Sequence, residues 1–245
     1  MDTTLYVGLS HQTAMRRKLD VVANNIANMN TTAFRKESIM FQDFVMQMQG
    51  TANPELKDVS YVLDYGLLRH LSDGQMVATA NPLDVAISGP GYFTVENENG
   101  DTYYTRNGHF TLSNNGYLTT SAGYYLLDEN GNRIAIAAED SNLEFAGDGS
   151  LSTRDGVLTK ITVVDFPDTQ NLKKIGDTLF QTDQAPTPSE GARLAQGMIE
   201  GSNVNPIHEV TEMIDVLRSY QSTERMLNNY QEMRQRAITD LGKVN

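Results

Sequence analysis

Heptad spacing at both ends of the chain limits what this sequence can fold into. From Leu5 the positions Gly8, Gln12, Met15, Leu19, Val22, Ile26 and Met29 recur in alternating steps of three and four. From Val210 the same stepping selects Met213, Leu217, Tyr220, Glu224, Leu227, Gln231, Arg234, Ile238 and Leu241. Such spacing lays one stripe along one helix face and calls for a partner helix. Polar residues and glycine interrupt both stripes, so neither helix is expected to stand alone in water. A chain whose end helices need partners reads as a building block sooner than as an enzyme.

The first helix is predicted over about 3–27, within a helical end formed by 1–32. There the asparagines at 24, 25, 28 and 30 and Thr31-Thr32 favour caps and turns. The second is predicted from Pro206, whose missing N–H costs nothing at a helix start, to about 241, within the end formed by 206–245. The two are expected to pair as a coiled-coil-like domain. Residues 33–82 read as an irregular, partly extended connector, with Thr51-Ala52-Asn53-Pro54 a loop.

From Leu83 the periodicity becomes two. Asn-Gly pairs at 99–100, 107–108, 115–116 and 130–131 separate short runs rich in Tyr, Thr, Phe and Leu. Asn-Gly suits type I′ hairpin turns, which predicts an antiparallel meander within a β domain at 83–183. Residues 184–205 read as a connector, exposed over 184–190 where Pro186 and Pro188 stand. The fold class is therefore α+β: long terminal helices around a central antiparallel β domain.

The net charge of −12 is unevenly placed. Residues 1–49 carry five bases and four acids, and 207–245 carry five bases and six acids, so the whole −12 lies in 50–206. An acidic middle argues against nucleic acid and anionic membrane surfaces as partners. Nearly neutral ends suit helices packed side by side. There is no cysteine, which excludes disulfides and thiolate metal sites. Polar residues interrupt any apolar run in 1–30, so no cleaved signal peptide and no membrane insertion are expected.

Positive signs of catalysis are missing. The four histidines, His11, His70, His109 and His208, fall in no metal-ligand spacing, and there is no nucleophile or phosphate-loop motif. No catalytic residue, metal or cofactor is expected. Asp128-Glu129-Asn130-Gly131-Asn132, with Glu139 at the twelfth place, has a faint likeness to a calcium loop. The alternating Ile134-Ala135-Ile136 reads as strand instead, and a turn is the favoured account. Tyr92, Tyr103, Tyr104, Tyr117, Tyr124 and Tyr125 suit cross-strand pairs better than a binding face.

Three groups of residues carry a resemblance. Asp20-Val21-Val22-Ala23-Asn24-Asn25-Ile26-Ala27-Asn28 leads into Thr31-Thr32-Ala33-Phe34-Arg35. In the middle stand Asn81-Pro82-Leu83-Asp84-Val85-Ala86-Ile87, Gly91-Tyr92-Phe93 and Tyr104-Thr105-Arg106-Asn107-Gly108-His109-Phe110. Near the end stand Gln196-Gly197, Glu200-Gly201-Ser202-Asn203-Val204-Asn205 and Arg218-Ser219-Tyr220. In this order they resemble the flagellar rod and hook family of axial proteins. Two positions depart from its pattern: Ala33 stands where glycine is usual, and Leu217 where glutamine usually precedes the arginine.

The resemblance implies a structural subunit of the basal-body rod, proximal by length, with a distal-rod subunit the near alternative. A hook protein would carry a large inserted domain. The implied partners are other rod subunits, including copies of itself, and the flagellar type III export apparatus. The implied location is the periplasmic rod, reached without a cleaved signal. Leu5, Met15, Leu19, Val22, Ile26, Val210, Met213, Leu217, Tyr220 and Leu227 are expected in helix seams. Asn24, Asn25, Asn28, Asn203 and Asn205 are expected to fix register and chain direction. A secreted β-rich binding module with helical oligomerisation ends is the alternative from another class.

Overall fold

The computed structural model describes residues 3–47, 58–137, 143–176 and 178–241. They form two compact units, each built from segments distant in sequence.

The first unit holds helix α1 (Thr3–Ala27), strands β1 (Glu37–Gln47) and β2 (Asp58–Arg69), and helix α2 (Pro206–Leu241). α2 starts where it does because Asn205 caps it: its Oδ1 accepts the N–H groups of Ile207 at 3.1 Å and His208 at 3.3 Å. Glu209 adds a carboxylate in the first turn, where the helix dipole favours it. β1 and β2 pair antiparallel over their full lengths, from Glu37 opposite Arg69 to Gln47 opposite Asp58. The register slips between Met40 and Phe41, beside Gly66 at φ 153°. This ribbon replaces the irregular connector expected over 33–82. Its aromatic and β-branched residues favour strand, but they lack the clean period of two that would have announced it. The loop expected at Thr51–Pro54 lies outside the described residues.

The second unit takes residues 28–35 and the described residues of 71–204. Its largest sheet has seven antiparallel strands in the order Lys173–Lys174, Leu179–Gln181, Thr102–Thr105, Phe93–Glu96, Tyr125–Leu126, Leu118–Thr120, Phe110–Leu112. A three-stranded sheet (Glu144–Phe145, Ser150–Thr153, Gly156–Lys160) and several two-stranded pairs complete it. Phe93, Phe110, Leu118, Leu126 and Leu151 are fully buried, and the Phe93 and Phe110 rings meet edge to face at 5.3 Å. Most of the tyrosines are spent on ring pairs, among them Tyr103 with Tyr124 at 5.4 Å and Tyr117 with Tyr125 at 5.6 Å. The segment expected to be a connector, 184–205, supplies three strands, Thr187–Pro188, Arg193–Gln196 and Met198–Glu200, while its 184–190 part is mostly exposed.

The Asn-Gly turns differ from expectation in type. In each of three, the glycine N–H donates to the carbonyl three residues back: Gly100 to Asn97, Gly116 to Ser113 and Gly131 to Asp128. Only the glycines have positive φ, at 93°, 80° and 78°, so these are type I turns closed by a left-handed glycine rather than type I′. Asp128 Oδ1 accepts the N–H groups of Asn130 and Asn132, as Asn97 does at its own turn. Burial opposes ionisation of Asp128, yet these bonds prevail and hold its carboxyl below the usual range. Its carboxylate is committed to the backbone, which accounts for the likeness to a calcium loop. Glu139 lies outside the described residues. The fourth pair, Asn107-Gly108, is no hairpin turn. A Cβ on Gly108 would collide with the Val85 carbonyl oxygen, so glycine is needed there for close packing.

Candidate assembly interface

α1 and α2 pack antiparallel. Gly8 lies against Leu227, and a Cβ on Gly8 would fall 2.5 Å from Leu227 Cδ2. His11 meets the Thr223 hydroxyl at 3.2 Å, Lys18 pairs with Glu212 at 2.9 Å, and Asn25 donates to Glu209 at 3.0 Å. The α2 positions turned toward α1 therefore follow Glu209, Met213, Val216, Tyr220, Thr223 and Leu227. Of the expected seam residues, Met213, Tyr220 and Leu227 fall in this series. On α1, Val22 is buried, and Leu5, Met15, Leu19 and Ile26 are half-buried.

Val210 and Leu217 lie elsewhere. They are 46% and 43% exposed, while their neighbours Glu209 and Val216 are buried at 0% and 4%. With Ile207 at 80% and Ile214 at 45%, they form a second apolar stripe with steps of three, four and three. At 100° per residue this stripe is centred about 120° round the helix from the α1-facing series. It spans about 15 Å. α2 thus carries two heptad stripes, and α1 covers one of them. An open groove of about 780 Å³ between the helices runs past Met15 and Lys18 of α1 and Ile207, His208, Thr211, Glu212, Asp215 and Val216 of α2, so it borders the second stripe at Ile207.

The register of the first stripe is tied by a polar junction. Asn25 is 1% exposed, and its Nδ2 donates both to Glu209 Oε2 and to the Glu37 carbonyl at 2.8 Å. Its Oδ1 accepts the Glu37 N–H at 3.1 Å. One amide therefore joins α1, the start of β1 and α2. Glu209 also pairs with Lys36. A hydrogen bond from Lys18, reinforced by the charges of Lys18 and Lys36, holds the Glu212 carboxyl below its usual range despite partial burial. His208, Glu209 and Glu212 place possible ligand atoms within 4.8 Å of one another. Both carboxylates are already neutralised by lysine, so the donor set suits an ion-pair junction better than a cation.

The other polar residues serve different ends. Asn205 caps α2. Asn203 donates to the Ser72 carbonyl at 2.9 Å, and its N–H bonds the Phe34 carbonyl. Asn28 accepts from the Thr31 N–H and hydroxyl in a turn, and Asn24 is exposed.

In the second unit, one buried carboxylate gathers three distant segments. Glu200, 1% exposed, pairs with Arg35 at 2.8 Å through Oε1 and with Arg106 at 2.8 Å through Oε2. Its carbonyl accepts the Ala33 N–H at 2.7 Å. Asp73 bridges both arginines at 3.0 and 3.2 Å, and Arg106 also donates to the carbonyls of Gly89 and Gly91. Arg35, Arg106 and Glu200 come one from each of the three sequence groups described above. Sequence reasoning passed over them as single charges, because each partner lies 94 or more residues away from Glu200. Ala33, the departure noted above, is buried with φ 59°, a left-handed conformation that glycine adopts freely.

Among the described residues, no helix is long and apolar enough to cross a membrane. Comparison with known proteins accounts for the arrangement. Residues 5–35 match the flagella basal body rod protein family, 86–165 the flagellar hook protein FlgE/F/G D1 domain, and 195–240 the flagellar basal body rod FlgEFG protein C-terminal region. The flagellar basal-body rod protein FlgF of Caulobacter vibrioides is 39% identical over 247 residues, covering 100% of both chains. FlgF of Mesorhizobium japonicum is 33% identical over 99% of each. FlgG of Bacillus subtilis is 34% identical, covering 96% of this chain and 97% of the relative.

Proposed function

The chain belongs to the flagellar basal-body rod protein family and is a structural component of the flagellum, not an enzyme; we propose that it polymerises through its terminal helices into the proximal rod. The observation that supports this reading is the second stripe of α2. Ile207, Val210, Ile214 and Leu217 keep heptad spacing and stay 43–80% exposed, with no helix among the described residues covering them. Such a face is met by a helix from outside, and in a rod that helix belongs to a neighbouring subunit. The intrachain α1–α2 contact supplies the first coiled-coil-like seam, and the stripe supplies the second. A shaft that carries torque needs subunits locked on more than one side, and two seams on one helix meet that need.

Family membership supports two further points of the same reading: the flagellar type III export apparatus delivers the chain, and it assembles in the periplasm. FlgF relatives matched nearly end to end favour the proximal rod over the distal rod. The test is concentration-dependent association of the purified chain, followed by light scattering, against Ile214→Asp. Association is expected for the parent and lost in the variant. Equal association of the two would overturn the reading.

A further inference from the structure

The four Asn-Gly pairs of the chain are held unequally by the fold. An asparagine followed by glycine can lose its side-chain amide without an enzyme. The glycine nitrogen attacks the asparagine Cγ, the Cγ–Nδ2 bond breaks, and ammonia leaves with the proton of the glycine N–H. Water then opens the resulting succinimide ring. Attack at Cγ yields aspartate, and attack at the main-chain carbonyl yields isoaspartate, in which Cγ has entered the backbone. Glycine has no Cβ to hinder the first step. In a folded chain that step needs rotation of the asparagine backbone, so every bond that keeps the turn closed slows it. We propose that Asn99 is the site of this modification, and that the fold protects the other three pairs.

Asn107-Gly108 is the most enclosed. Asn107 Oδ1 accepts the His109 N–H at 3.0 Å, the Gly108 carbonyl accepts the Val85 N–H at 2.9 Å, and Gly108 is buried. The other three pairs share one kind of turn and differ in what ties it down. At Asn115 the Gly116 N–H bond is 2.9 Å long, and the Gly116 carbonyl accepts the Ile136 N–H at 2.7 Å. At Asn130 the preceding Glu129 N–H donates to the Lys160 carbonyl at 2.9 Å, and Asp128 Oδ2 accepts the Thr159 hydroxyl at 3.2 Å. These bonds fasten that turn to the strand Gly156–Lys160. Asn99 stands at the tip of the hairpin formed by Phe93–Glu96 and Thr102–Thr105. Its Gly100 N–H bond is the longest of the three at 3.3 Å, and both residues of the pair are exposed. Asn97 Oδ1 braces this turn from inside, as Asp128 Oδ1 does its own, and Arg133 donates to the Asn97 carbonyl at 3.2 Å, ahead of the reacting pair. A carboxylate at position 99 would lie between Glu98 and Asp101 in sequence, where like charges repel. Isoaspartate also lengthens the backbone at the tip. Both changes loosen two neighbouring strands in the middle of the seven-stranded sheet.

The test is to age the full chain at mildly alkaline pH and physiological temperature and to locate deamidation by tandem mass spectrometry of its peptides. Labelling by isoaspartate methyltransferase marks the isoaspartate fraction. Asn99 is expected to convert about tenfold faster than the other three, because one added hydrogen bond shifts an opening equilibrium by up to that factor. In urea the four rates should converge. A folded chain in which Asn107, Asn115 or Asn130 converts as fast as Asn99 would overturn the proposal. Rates that keep the same order in urea would also overturn it, since the order would then belong to the local sequence and not to the fold. Asn99→Gln, whose longer side chain closes a ring far less readily, should abolish the main signal and keep its thermal midpoint on ageing while that of the parent falls. An equal fall in the variant would refute the effect on the sheet.

Discussion

Asn25 and Glu209 stand 184 residues apart in sequence and meet through a buried hydrogen bond of 3.0 Å. The same asparagine holds the N–H and the carbonyl of Glu37, so its amide acts as a strand partner for β1 while anchoring the first turn of α2. The junction ties the alignment of the two terminal helices at one end, beyond the Lys18–Glu212, His11–Thr223 and Gly8–Leu227 contacts.

Replacing Asn25 with alanine leaves a buried carboxylate oxygen and the Glu37 backbone groups without their partner. The expected cost is about 3 kcal/mol, at the upper end for hydrogen bonds that involve a charged group. In limited proteolysis of the purified chain, cuts within α1 and α2 should become up to about a hundredfold faster, and those within 83–137 should not change. Unchanged cleavage of α2 in Asn25→Ala would show that the helices align without the junction.

The Glu212–Lys18 pair gives a pH dependence of known sign. The folded-state pKa of Glu212 is depressed, so its contribution is present above the unfolded value, near 4.3, and is lost as pH falls through the folded value. The helix stability of the parent should exceed that of Glu212→Gln at pH 7, with the gap closing below about pH 4. Circular dichroism melts across pH 3–7 measure it. A gap that widens toward acid would contradict the assignment.

Ala33 sets backbone strain against a buried methyl group. Ala33→Gly relieves a left-handed conformation worth about 1–2 kcal/mol but loses methyl burial and adds unfolded-state entropy of similar total size. Its thermal midpoint should stay within a few degrees of the parent. Ala33→Val adds a β-branched side chain at positive φ and should lose about 2 kcal/mol or more. Equal stability of the valine and glycine variants would refute the strain argument.

Glu200→Gln removes the charge between two buried arginines. Breaking one side of a buried ion network costs about 3–5 kcal/mol, because the remaining charges stay desolvated. Near-ultraviolet circular dichroism, which follows the tyrosines of the β unit, should show a lowered midpoint. A variant as stable as the parent would mean that Asp73 alone balances Arg35 and Arg106.

Much of this architecture is legible in the sequence, and the gaps have definite causes. Heptad spacing locates α1 and α2, but polar and apolar residues alternate so closely on α2 that it fits two registers. The register through Val210 and Leu217 is the more apolar, yet the chain turns Glu209, Val216 and Thr223 toward α1. A buried glutamate is welcome there only because Lys36 and Asn25 await it, and neither is visible from α2. The β1–β2 ribbon escapes notice because its bulge at Met40 breaks the alternation. Arg35, Arg106 and Glu200 look like ordinary surface charges until the fold brings them together. The Asn-Gly pairs announce the meander, but their turn type is set by Asn97, Ser113 and Asp128, which precede them.

The central claim is that this chain is a structural segment of the rod. Counting rod lengths by electron microscopy in basal bodies from a strain lacking the gene tests it most directly. The account predicts truncated rods and no swimming, both restored by the parent gene and not by Ile214→Asp. Complete rods in the deletion strain would contradict it.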